Sequence, residues 1–553
     1  MVMSLRVALK RSFVLMALMS SAAMAQSEPA RFTHFTYDGH APEGSRAGPG
    51  SYVNPILAGY HPDPSIVRVG ADYYLINSSF AHFPGIPVFH STNLVDWVQI
   101  GNAIDRPSQL NMVGRKVSEG VFAPDISYHD GLFYIVNTCV GCGGNFVITA
   151  HNPAGPWSDP VWLGFDGIDP SIFWDGDKAY IVHNDAPRGA PLYEGHRAIW
   201  LQEFDPKALR MTGPRTQIIN GGVDISTKPI WIEGPHMLRR GAFYYLYAAE
   251  GGTAENHSEV VFRASAPTGP FQPFAGNPIL TQRDLDPARP HPVTSSGHAM
   301  MVQTQKGDWW SVFLATRPYS PGLYNIGRET FLLPVTWKGD WPTILDHGKA
   351  IPLVAPRPDL PAGAKPSLPL GGDFAYVDDF RGTHLSKAWV GLRNPSKPLY
   401  RLEKGALLLS SGAPLGDKNG VPALIARRQQ HQNATVSVTV SFAPHKDGDR
   451  AGLVALQNDE DYVFFGVTRV EGKRKIALFT REAGHGETLV ASAPLPTGPV
   501  RLTFLSDGAQ LNFRYATGGR TVNLGATVDV ALLSTQKAGG FVGTIVGPYT
   551  YSQ

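Results

Sequence analysis

Only two of the 553 residues are cysteine, Cys139 and Cys142, and they share the short stretch Cys-Val-Gly-Cys. Two thiols fall short of the four ligands that a structural zinc requires. The same spacing signals dithiol redox chemistry only within a strand–helix–strand setting, which the surrounding sequence does not provide. A local disulfide, as an oxidising compartment favours, and a pair of free thiols both remain open. An excess of either charge is also missing. The 48 Lys and Arg nearly balance 46 Asp and Glu, the net charge is +2, and no basic run occurs. That excludes a nucleic-acid partner. Long apolar runs are lacking too: beyond the first 25 residues nothing reaches the ~18 uninterrupted apolar residues of a membrane span. Helical 3.6-residue periodicity is scarce over any long window.

What is abundant points to strands and turns. There are 59 Gly, 46 Pro and 10% aromatic residues, a composition suited to a turn-rich all-β protein. The 43% hydrophobic content is enough for a large core, and the length favours two domains. At the N-terminus Arg6, Lys10 and Arg11 precede an apolar stretch from Phe13 to Met19 and the small-x-small site Ala23-Met24-Ala25. This reads as a signal peptide over residues 1–25, so the mature protein is expected to be exported, to the periplasm or beyond.

Five copies of one pattern follow, each a polar head running into two strands joined at a glycine. They begin at His61-Pro-Asp63-Pro-Ser, Ala123-Pro-Asp125-Ile-Ser, Ile168-Asp169-Pro-Ser, Ile232-Glu233-Gly-Pro-His and Ser296-Gly-His298-Ala. The turn glycines are Gly70, Gly131, Gly176, Gly241 and Gly307. Self-similarity at this period, in strands, predicts a five-bladed β-propeller over residues 53–350. Residues 26–52 read as a lead-in that wraps the fold. Residues 351–373 form a Pro-rich, extended linker. Residues 374–553 alternate like strands of a second, two-sheet sandwich domain. The stiff linker favours a sandwich that buttresses the propeller over one that acts as a tethered binding module.

If every head opens the innermost strand of a blade, four acids and one histidine converge on a single axis. Carboxylates crowded in a concave site repel, so some are driven to hold a proton while others stay ionised. A standing acid beside a standing base is what glycoside hydrolysis needs. Turn-forming alone does not account for an acid at four equivalent positions.

At these residues the chain resembles glycoside hydrolase family 43, the five-bladed β-xylosidases and α-L-arabinofuranosidases. The resemblance extends over Asn54-Pro-Ile, Ser79-Phe80, Phe83-Pro-Gly-Ile-Pro and Gly327-Arg-Glu-Thr-Phe331, and to the sandwich beginning near Asp378-Asp379-Phe380. It implies an exo-acting enzyme that releases terminal pentose from xylan-derived oligosaccharides with inversion. In that scheme Asp63 is the general base, Glu233 the general acid, and Asp169 the group that raises the pKa of Glu233 and orients it. Phe80, Phe122 and Arg328 are the implied substrate-binding residues, and Asp125, the head of the second copy, is either a further substrate-binding residue or part of the scaffold. His298 is the implied protein ligand of a calcium ion, and no organic cofactor is expected. Glu194, His196 and Arg197 are either rim residues of the pocket or blade-surface ion pairs. Two other readings stand beside this one: a non-catalytic carbohydrate-binding propeller, and a retaining fructan- or sucrose-cleaving five-bladed enzyme.

Overall fold

The computed structural model describes residues 28–553 apart from Ala364 and Pro496. The expected signal peptide therefore lies outside the described residues. Each of the five glycines adopts a positive φ, between 61° and 94°, at the tight turn between the first two strands of its blade, a conformation that side chains resist. Every blade is an antiparallel sheet of four strands in sequence order, two of them with one short strand added. The innermost strands are Ser65–Val69, Asp125–His129, Ile168–Asp175, Glu233–Arg240 and Thr294–Gln303. Each contacts the next around the ring, and the fifth contacts the first.

The ring is closed by the chain that enters it. Asn54 Nδ2 donates to the Leu332 carbonyl at 2.9 Å and Asn54 Oδ1 accepts from the Leu332 N–H at 3.0 Å. Leu57 and Thr330 then exchange two backbone hydrogen bonds at 3.2 Å. The linker is tied down in the same way, since Val354–Pro356 pairs with Ser51–Val53. Within the second blade Cys139 and Cys142 are joined as a disulfide.

The second domain is a sandwich of an eight-stranded and a seven-stranded sheet. Its core packs Phe465, Phe504, Phe513 and many Val and Leu between them. The lead-in differs from expectation. Ala30–His40 is a strand of the sandwich, paired with Asn433–Ser441 on one side and with Leu407–Leu409 and Phe374–Asp378 on the other. Phe32, Phe35 and Tyr37 point into the core, with the alternation broken at a bulge where His34 has φ 49°. That break, beside a Gly/Pro-rich continuation, hides the two-residue period in the sequence.

The two domains share buried surface. Tyr60, Phe80 and Val117 of the propeller pack with Val390, Phe464 and Val542 of the sandwich. Arg393, 1% exposed, donates to Asp459 at 2.6 Å and to the Arg115 carbonyl at 2.9 Å. A buried guanidinium with these partners fixes the domains in register. No helix among the described residues is long and apolar enough to cross a membrane.

Candidate active site

The heads of the first, third and fifth copies share one backbone device. Asp63, Asp169 and His298 have φ of 52°, 53° and 51°, and in the fourth copy Gly234, next to Glu233, has φ 55°. Left-handed backbone at a residue with a side chain costs about 1–3 kcal/mol and persists where the surroundings enforce it. Pairing registers slip at Ile168/Ser171, Glu233/His236 and Thr294/Gly297, so the heads depart from the regular alternation of their strands.

These heads surround a cavity of about 310 Å³ lined by Asp63, Asp169, Glu233, His298 and Arg328 together with an apolar set. All three acids are buried, between 5% and 6% exposed. Asp63 accepts from Arg328 Nη1 at 2.9 Å and from Ser78 Oγ at 2.6 Å, and His298 Nδ1 lies 3.7 Å from it. Burial alone would raise its pKa, but the Arg328 charge, His298 and the Ser78 hydrogen bond together hold it below the usual carboxylate value. Asp169 accepts the Gly234 N–H at 3.1 Å. Burial pushes it up to about 6, against the opposing pull of His298. Glu233 goes furthest. Burial, then the charges of Asp169 and Asp63, raise it well above the ordinary glutamate value. One cavity thus holds a carboxylate pushed towards its ionised form and a carboxylic acid pushed towards keeping its proton.

The apolar set falls into two groups. Phe80, Phe122 and Phe541 form a cluster with ring centroids 5.2 to 6.0 Å apart. Ile230 and Trp231 lie on the chain that leads into Glu233. Phe541 comes from the sandwich and was not among the expected site residues. Its N–H donates to Ser118 Oγ at 3.0 Å, and Arg328 Nη2 donates to its carbonyl at 3.4 Å. Close approach there depends on glycine: a Cβ on Gly543 would stand 2.5 Å from the Ile326 backbone. The only sequence signal is a phenylalanine set among Gly539, Gly540 and Gly543, about 210 residues from Arg328.

Asp125 does not line the cavity. It accepts from Ser65 Oγ at 2.9 Å and from the Ile172 N–H at 3.0 Å, linking the first and third blades through the second. Of its two expected roles, contact with substrate gives way to this inter-blade one, because its oxygens are committed beneath the site. Glu194, His196 and Arg197 also lie outside the cavity lining. His196 bonds Asn220 at 2.9 Å, and Arg197 sits against Trp231.

His298 is buried at the cavity base, but it supplies one imidazole. Among the described residues no group of three or more His, Cys, Asp or Glu could hold a metal ion. Calcium takes six to eight oxygens, so a calcium here would be held mostly by water, with His298 as its one protein ligand.

The comparisons with known proteins agree with this geometry. Residues 52–342 match the family described as glycosyl hydrolases family 43, and residues 377–553 match the beta xylosidase C-terminal concanavalin A-like domain. A xylosidase/arabinosidase of Butyrivibrio fibrisolvens is 35% identical over 90% of this chain and 95% of its own length. A non-reducing end alpha-L-arabinofuranosidase of Bacteroides ovatus is 35% identical over 90% of this chain and 91% of its own. Among solved structures, a GH43_12 protein retrieved from a capybara gut metagenome is 38% identical with a TM-score of 0.87, covering 95% of this chain and 100% of that one.

Proposed function

Since the chain belongs to glycosyl hydrolases family 43 and is a glycoside hydrolase, we propose that it removes single pentose units, β-D-xylose or α-L-arabinofuranose, from the non-reducing ends of xylan or arabinoxylan oligosaccharides by single displacement. The observation that carries this reading is that two buried acids meet in one cavity in opposite settings: Asp63 is bonded to the Arg328 guanidinium and to Ser78, while Glu233 stands among the carboxyls of Asp169 and Asp63. Asp63 takes a proton from water as the water oxygen attacks the anomeric carbon. Glu233 gives its proton to the glycosidic oxygen as the carbon–oxygen bond breaks. Asp169, bonded to the Gly234 N–H beside Glu233, keeps the acid protonated by its charge and fixes the backbone that carries it. Arg328 holds Asp63 ionised and presents its remaining donors to sugar hydroxyls. A binding-only propeller has no use for such a pair, and a retaining enzyme needs a nucleophile in place of the base.

The anomer formed first decides the stereochemistry. Proton NMR of β-xyloside hydrolysis is expected to show α-xylose before mutarotation, and β-xylose appearing first would rule out single displacement. The sandwich takes part directly through Phe541. Phe541→Ala is expected to lower kcat/KM on pentosides about 5- to 30-fold, mainly through KM, by removing an apolar wall worth ~1–2 kcal/mol. An unchanged KM would limit the sandwich to buttressing. We place the enzyme outside the cytoplasm; the disulfide between Cys139 and Cys142 supports an oxidising compartment.

A further inference from the structure

Trp231 has no part in the scheme above, yet its placement is costly and specific. It lines the cavity, remains 37% exposed and has φ 59°, a backbone region that a bulky side chain seldom adopts. Its N–H donates to the Gly195 carbonyl at 2.8 Å. The Arg197 guanidinium lies 4.9 Å from the centre of its ring, within cation–π range. Arg197 is itself fixed: it donates twice to Asn184 Oδ1, at 3.0 and 2.6 Å, and stands 3.8 Å from Asp185. Asn184 in turn donates to the Ile232 carbonyl, so the same network anchors the chain on either side of Trp231 and just before Glu233.

An aromatic ring held rigid in this way and left part-open to a polar cavity presents a flat apolar surface to a ligand. Pyranose rings offer a matching face of C–H groups. The side of the cavity on which Trp231 lies identifies the ring it meets. Phe80, Phe122 and Phe541 gather near Arg328, which binds the base Asp63. Trp231 stands with the acid Glu233, and the acid must reach the glycosidic oxygen, with the departing sugar just beyond it. We propose that Trp231, clamped by Arg197, is the stacking platform for the leaving-group sugar, and that this subsite takes a second pyranose unit such as the next xylose of a xylo-oligosaccharide. The proposal rests on the assignment of Glu233 as the acid.

The test compares xylobiose, whose leaving group is a sugar ring, with β-D-xylosyl fluoride, whose leaving group has none. Trp231→Ala is expected to lower kcat/KM about 10- to 30-fold on xylobiose and less than about 3-fold on the fluoride. Trp231→Phe, which keeps a flat ring, should recover most of the loss. Arg197→Met should raise KM for xylobiose several-fold with a smaller change in kcat, and Arg197→Lys, which keeps the cation, should restore it. Equal losses on the two substrates, or none on xylobiose, would overturn the platform. Binding gives a reading that does not depend on turnover. By calorimetry, Glu233→Ala should bind xylobiose more tightly than xylose, and adding Trp231→Ala should erase that difference; a difference that survives overturns the proposal. If the native enzyme cleaved neither xylobiose nor the fluoride, the reaction assignment would fall, and this binding comparison would still decide the subsite.

Discussion

Glu233→Ala is expected to lower kcat/KM on xylobiose by about 10²–10⁴-fold while an activated aryl xyloside loses much less. A sugar alkoxide leaves only with a proton, whereas a nitrophenolate leaves well without one. The pH profile should change in parallel. In the native enzyme activity rises as Asp63 loses its proton, below the ordinary aspartate range, and falls as Glu233 loses its own, well above the ordinary glutamate range. The alanine variant should keep the acidic limb and lose the alkaline one. Asp169→Asn separates tuning from catalysis: without the Asp169 charge, Glu233 gives up its proton more readily, so the alkaline limb should move to lower pH. Full activity of Glu233→Ala on xylobiose would remove it as the acid.

Asp63→Ala should be as damaging and less selective. Water must be activated whatever the leaving group, so losses of about 10²–10⁴-fold are expected on xylobiose, aryl xylosides and xylosyl fluoride alike. The variant carries a structural cost as well. Arg328 is 7% exposed on its side chain and would lose its carboxylate, and breaking a buried pair from one side costs about 3–5 kcal/mol. Asp63→Asn keeps the shape and an oxygen to accept from Arg328, so it should restore much of the thermal stability without restoring activity. If Asp63→Asn hydrolysed xylobiose at the native rate, water activation would belong to another group.

The contrast between these residues and those found only in three dimensions has a physical basis. The heads at 63, 169, 233 and 298 are visible in the chain because a repeated blade places equivalent positions on one axis. Asp125 obeys the same repeat, but its oxygens are taken by Ser65 and the Ile172 N–H, contacts that depend on how neighbouring blades meet. Phe541 reaches the cavity across an interface between domains, and no local pattern encodes the distance from a loop of one to the pocket of another. Ala30–His40 joins a sheet whose other strands begin more than 330 residues later, so its partner could not be read from its neighbours.

The sequence alone determined that the chain is all-β, that one part is a five-bladed propeller and another a sandwich, and that its acids gather at the propeller axis. Periodicity, turn glycines and repeated heads are local properties, and local properties survive in a linear string. The tertiary structure decided which acid holds its proton, which one becomes a strut between blades, and which side chains of the sandwich and the Trp231 rim complete the pocket. Those outcomes follow from burial and from charges brought within a few ångströms by distant segments, quantities that exist only once the chain has folded.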